Sequence, residues 1–131
     1  RTIEAGDEVI QATKEFIQSL GKTPVLSPDT PGFIVNRLLT PFLLEAIRMV
    51  ECSQVTKEDL DTAVKLGLGH PMGPIELNDF VGMDTTYFAA QYMYDETKKQ
   101  SLIPPILLKQ MVLAGRTGKK AGRGFYSYRE S

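Results

Sequence analysis

Hydrophobic and polar positions divide the chain into helical stretches separated by turns rich in glycine and proline. From Asp7 to Leu20, the positions Val9, Ile10, Ala12, Phe16, Ile17 and Leu20 recur at about the 3.6-residue period of a helix. Asp7 and Glu8 suit its first turn, and Gly21 stops it. Lys22 to Ser27 reads as a short extended piece, with a strand at Thr23–Leu26. The linker Ser27–Gly32 follows, its prolines keeping the residues before them out of the helical region. One strand leaves its own backbone groups unpaired, so this one is expected to pair with something outside the chain. Residues 1–27 are therefore expected to be the tail of an upstream α/β domain, and 28–131 a helical domain.

The longest apolar run begins at Thr30-Pro31-Gly32-Phe33 and continues to about Val50. Asp29 or Thr30 offers a capping oxygen, and Pro31 suits a first helical position. Nearly every position from Phe33 to Val50 is apolar, which predicts a central helix buried on almost every side, with a bend at Pro41. Asn36, Arg37, Glu45 and Arg48 interrupt the run too often for a membrane span.

After a turn at Cys52–Val55, Thr56 with Asp59 three residues on resembles a capping box. It opens a helix with Leu60, Ala63, Val64 and Leu66 on its buried side, ended by Gly67. Gly67-Leu68-Gly69-His70-Pro71-Met72-Gly73-Pro74 is an irregular loop whose glycines and prolines fix a specific path. Pro74 starts a short helix closed by Gly82, and Asp84 is expected to cap the next, lined by Tyr87, Phe88, Tyr92 and Met93. Pro104-Pro105 begins a last helix from Ile106 to about Ala114. A basic turn, Arg116–Gly124, and an extended aromatic tail, Phe125–Tyr128, follow. The class expected is all-α, around one long buried helix.

Composition changes this picture little. The 131 residues are 42% hydrophobic and 24% charged, as in an ordinary globular domain. A net charge of −1 gives no electrostatic reason to expect nucleic acid or an anionic membrane as partner. Cys52 is the one cysteine, which excludes an internal disulfide and fits a reducing compartment. Arg1 stands where an initiator Met would be, which fits a fragment or a processed product.

Candidate chemistry is sparse. His70 is the one histidine, and no His/Cys cluster or HExxH accompanies it, so no metal site is expected. A histidine at a proline turn is favoured over a catalytic one. Glu76 and Asp79 share a helical face and are expected to be solvated. The basic turn lacks the strand, helix and spacing of a phosphate loop, and Gly122-Arg123-Gly124 is no dinucleotide fingerprint. On the residues alone the cluster reads as a solvated turn, the alternative being that Lys119 and Lys120 touch an anionic cofactor seated elsewhere. Asn36 carries two readings. Either Thr40, one turn on, satisfies its amide, or the amide faces a cleft and orients a substrate oxygen or a catalytic group.

Three blocks resemble a known family. They are Asp29-Thr30-Pro31-Gly32-Phe33-Ile34-Val35-Asn36-Arg37-Leu38-Leu39; Lys65-Leu66-Gly67-Leu68-Gly69-His70-Pro71-Met72-Gly73-Pro74 with Leu77, Asp79, Gly82 and Asp84; and Gly118-Lys119-Lys120-Ala121-Gly122-Arg123-Gly124-Phe125-Tyr126-Ser127-Tyr128. In order and spacing they resemble the C-terminal domain of L-3-hydroxyacyl-CoA dehydrogenases, most closely the short- and medium-chain, mitochondrial, stand-alone type of fatty-acid β-oxidation. The resemblance implies an upstream Rossmann domain holding NAD, a helical domain that forms a homodimer, and acyl-CoA in the cleft between the two domains. The reaction implied is 3-hydroxyacyl-CoA and NAD to 3-oxoacyl-CoA and NADH, of (S) configuration. The catalytic histidine and glutamate of the family match nothing in this chain, and His70 does not correspond to that histidine.

Residue by residue, Asn36 matches the active-site asparagine, and Lys120 a lysine that contacts NAD. Pro71, Met72 and Leu77 match the wall beside the acyl-pantetheine arm. The chain is thus expected to be inactive alone, with a mitochondrial matrix location implied by the resemblance only. The alternative is a non-catalytic module that dimerises or binds acyl-CoA in its own right.

Overall fold

The computed structural model describes residues 1–128, and these are helical. Six α-helices run in order: α1 Asp7–Ser19, α2 Val35–Glu51, α3 Lys57–Leu68, α4 Pro74–Val81, α5 Met83–Thr97 and α6 Ile106–Leu113. Single 3-10 turns occur at Gln100–Leu102 and Lys119–Ala121. The β pairing among the described residues is limited to two isolated bridges, Gly118 with Arg123 and Arg123 with Ser127. The all-α class holds.

The core lies between α2 and the helices wrapped round its C-terminal half. Leu44 and Ile47 of α2 form one buried cluster with Leu60 of α3, Ile75 of α4, Met83 and Ala90 of α5, and Leu108 and Met111 of α6. Each such side chain contributes roughly 1.5–3 kcal/mol by leaving water. Arg48 ties the next connection down, donating from Nη2 to the Ile103 carbonyl at 2.7 Å.

α2 differs from the expectation at its start and in its burial. Thr30 does not cap it, and Pro31 is not its first residue. The Phe33 N–H instead donates to the Thr30 carbonyl at 2.8 Å, and Gly32 and Phe33 take φ values of +80° and +47°. Positive φ cannot continue a right-handed helix, so α2 begins only at Val35. A Cβ on Gly32 would lie 2.5 Å from Met93 Cε, so this turn is pressed onto α5. α2 then runs through Pro41 as one element. Thr40, Leu43, Leu44, Ala46 and Ile47 are buried, but Val35 and Leu38 are 68% and 72% exposed. The helix is enclosed at one end and bare at the other.

Other departures have local causes. α3 passes Gly67 and ends at Leu68, because Gly69 supplies the left-handed C-cap at φ +66°. Ala63 and Leu66 of α3 are exposed, as are Phe88 and Tyr92 of α5. Asp84 does not cap α5: Gly82 holds that position and Asp84 lies inside the first turn. Asp79 is not solvated but fully buried. Thr56 caps α3 as read, the Asp59 N–H donating to Thr56 Oγ1 at 3.1 Å, but the Asp59 carboxylate accepts from the Thr56 hydroxyl at 2.7 Å and not from its backbone N–H, so the box is only half made.

The first 27 residues behave differently. α1 forms with the expected period yet buries no residue. The strand expected at Thr23–Leu26 is absent, since a lone segment has no neighbour to pair with, and Val25 is 74% exposed. Val9, Ile10, Ile17, Pro24, Val25 and Leu26 line a gap of about 240 Å³ where this piece returns along α1.

Candidate functional site

Two buried carboxylates fix the loops that carry the candidate residues. α4 starts at Gly73-Pro74 with no side chain of its own to cap it. Asp61 of α3 does this from a distance, accepting from the Ile75 N–H at 2.7 Å and the Glu76 N–H at 3.0 Å. Tyr126 Oη donates to the same carboxylate at 2.8 Å. Burial, reinforced by Asp61, pushes the Tyr126 phenol above its ordinary range. Gly73 admits this approach because a Cβ there would fall 2.3 Å from Asp61 Cβ. Asp79 of α4 accepts from the Phe125 N–H at 2.9 Å and the Tyr126 N–H at 2.8 Å, and burial with Asp79 nearby likewise raises the Tyr128 phenol. The aromatic tail is therefore clasped to the helices instead of extending freely. Asp61 was not singled out from the sequence and Asp79 was read there as solvated, although the missing cap at Gly73-Pro74 is a signal that a helix start with unpaired N–H groups needs an outside carboxylate.

The loop before α4 lies along α2. His70 sets its ring edge to face against Phe42 at 5.9 Å between centroids. Phe42 is six residues after Asn36, a rise of roughly 9 Å. Pro71 is exposed, while Met72 and Leu77 are half-buried. Asn36 itself is exposed in the first turn of α2 and, among the described residues, makes no side-chain hydrogen bond to Thr40. The satisfied, buried amide is thereby excluded. Asn36 sits amid bare apolar neighbours: Phe33, Val35 and Leu38 are 57%, 68% and 72% exposed.

Lys120 stands at a second place, over the α4–α5 junction. Its Nζ lies 2.7 Å from each carboxylate oxygen of Asp84. The Lys120 ammonium holds the Asp84 carboxyl below its ordinary range, against burial and with help from the Thr85 backbone N–H. Lys119 instead sits over the Phe80 ring, 6.0 Å from its centroid. Pro71 and Met72 follow His70 in the loop that meets α2 at Phe42, Leu77 lies on α4, and Lys120 has a partner that sequence reasoning missed. No metal-holding group of His, Cys, Asp or Glu occurs among the described residues. No helix among them is long and apolar enough to cross a membrane.

Residues 32–128 match the family model described as 3-hydroxyacyl-CoA dehydrogenase, C-terminal domain. The chain belongs to this family. It is 50% identical over 129 residues to a 3-hydroxybutyryl-CoA dehydrogenase of Mycobacterium tuberculosis (strain CDC 1551 / Oshkosh), covering 98% of this chain and 45% of that protein. It is 45% identical over 130 residues to the mitochondrial hydroxyacyl-coenzyme A dehydrogenase of Sus scrofa, covering 98% of this chain and 41% of that one. The crystal structure of M. tuberculosis FadB2 superposes with a TM-score of 0.96 at 50% identity, over 98% of this chain and 46% of that one. The chain therefore spans less than half the length of these dehydrogenases. Bacterial and mitochondrial relatives are similarly close, so the family carries no single compartment.

Proposed function

We propose that the chain is the substrate-side, C-terminal part of an NAD-dependent (S)-3-hydroxyacyl-CoA dehydrogenase of fatty-acid β-oxidation. Family membership over residues 32–128 and an exposed Asn36 in a stretch where Phe33, Val35 and Leu38 are also bare carry this reading. An apolar wall with one amide suits a thioester whose acyl arm must be dehydrated and whose C3 oxygen must be oriented. Asn36 donates to or accepts from that oxygen, while Pro71, Met72 and Leu77 line the arm. NAD, when bound, would supply the hydride acceptor for C3, and from this chain Lys120 would help to hold it. The general base and its carboxylate partner come from residues outside this chain.

NAD fits the residues present in one respect. Lys120 is exposed, and its ammonium keeps N–H groups beyond those taken up by Asp84, available to oxygen atoms of a dinucleotide. The bare apolar surface of α2 and α1 is consistent with a helical domain that forms a homodimer and with residues 1–27 belonging to an upstream Rossmann domain. The mitochondrial relatives support a matrix location no more than the bacterial ones support a bacterial setting.

Oxidation of NADH with a 3-oxoacyl-CoA tests the reading. Full-length protein is expected to turn over, and residues 1–131 alone are not. Turnover by residues 1–131, or none by the full-length protein, would overturn it. Acyl-CoA binding by an inactive full-length protein would leave the non-catalytic module in its place.

A further inference from the structure

We propose that Asp84 is the positioning residue for Lys120, fixing where its ammonium meets the dinucleotide. The inference rests on the reading that Lys120 contacts NAD, and it adds a residue which that reading does not contain. The backbone under Lys120 is already held. The Met83 N–H donates to the Thr117 carbonyl at 3.2 Å, and Gly118 and Arg123 exchange backbone hydrogen bonds at 3.0 and 3.2 Å. Gly118, at φ +101°, lies so close to α4 that a Cβ would fall 2.2 Å from the Asp79 carbonyl oxygen. The turn is fixed, but a lysine carries four rotatable bonds beyond it, and its ammonium would otherwise sweep a wide arc.

Asp84 removes that freedom. Its two oxygens straddle Nζ at 2.7 Å each. Gly82 makes the room, since a Cβ there would lie 2.9 Å from Asp84 Oδ1 and 3.2 Å from Nζ. Gly82 is also at φ +105°, so the α4–α5 junction already favours glycine. Lys119, one residue earlier, has no carboxylate within salt-bridge distance among the described residues and rests over Phe80. Of two adjacent lysines, the structure fixes the ammonium of one. As the pair is 31% and 53% exposed at its side chains, it contributes little to folding, and a positioning role accounts better for its geometry.

The test is a fluorescence titration of NADH into full-length protein, with steady-state kinetics alongside. Asp84→Ala is expected to weaken NADH binding by about three- to tenfold, with kcat changed far less than KM for the dinucleotide. Asp84→Glu is expected to recover most of the loss. Lys120→Ala is expected to weaken binding, and Asp84→Ala added to it is expected to do no further harm, because a positioner without its lysine has nothing to position. Unchanged or tighter binding in Asp84→Ala, or losses that simply add in the double variant, would overturn the proposal while leaving Lys120 at the cofactor. Unchanged binding in Lys120→Ala would overturn both the proposal and the reading beneath it.

Discussion

α1 and the C-terminal half of α2 are both amphipathic helices with a regular apolar period, yet they end in opposite states. In α2, Leu44 and Ile47 are 0% exposed; in α1, Val9 and Phe16 are 63% and 64% exposed. The sequence pattern is equally good in both. What differs is company: three other helices, α4, α5 and α6, and the Gln100–Leu102 turn meet α2, whereas among the described residues α1 has its own returning segment and a gap of about 240 Å³ between them. An apolar period tells which face seeks cover, and a neighbour decides whether it finds any. The same contrast recurs within α2, where Thr40 is buried and Leu38, two residues earlier, is 72% exposed.

The sharpest way to break this comparison is to delete one side chain from each region of the isolated chain. Ile47→Ala should cost about 2–5 kcal/mol, since it opens a cavity in an enclosed core. Phe16→Ala should stay within about 0.5 kcal/mol, as a change on an open surface. Chemical denaturation of the two variants measures both. In the full-length protein the Phe16 variant should become costly, because the proposed upstream domain would then cover α1.

A smaller effect is expected from the clasp that holds the tail. Asp79→Ala leaves the N–H groups of Phe125 and Tyr126 without their acceptor. The loss should be about 2–3 kcal/mol by the same measurement. Hydrogen exchange should show the amides of these two residues newly exposed.

The smallest is Tyr126→Phe, which removes one donor to Asp61 and should cost about 1–2 kcal/mol at pH 8. Its pH dependence has a definite sign. The folded phenol ionises above its ordinary value of 10.0, so between those values the folded protein keeps a proton that the unfolded chain has lost. This contribution is whole below pH 10 and falls away as pH rises through the folded value. The wild type should therefore lose its advantage over Tyr126→Phe above pH 10, in melting curves taken across the alkaline range.

Much of this molecule was legible in its sequence. The helices, the Thr56 cap, the proline start of α4 and the double-proline start of α6 follow from local patterns that need no partner. The errors fall where non-local contacts decide. Thr30-Pro31 reads as a helix start until Gly32 and Phe33 turn to positive φ against Met93. Asp79 reads as solvated because nothing near it in sequence shows that Phe125 and Tyr126, more than forty residues on, donate to it. Asp84 reads as a cap because its pairing with Lys120 spans |i−j| = 36. At the candidate site, resemblance named Asn36 and Lys120, and the structure supplied their settings: one amid bare apolar surface, the other locked to a carboxylate.

The most direct test of the functional reading is the turnover number of full-length Asn36→Ala. A side chain that orients the reacting oxygen should, when removed, lower kcat tenfold or more, a loss of about 1.4 kcal/mol or greater from the transition state. Since Asn36 is exposed and makes no hydrogen bond to Thr40 in this chain, the melting temperature should stay close to that of the wild type. A kcat equal to the wild type's would contradict the placement of Asn36 in the active site, and with it the assignment of this surface to the substrate.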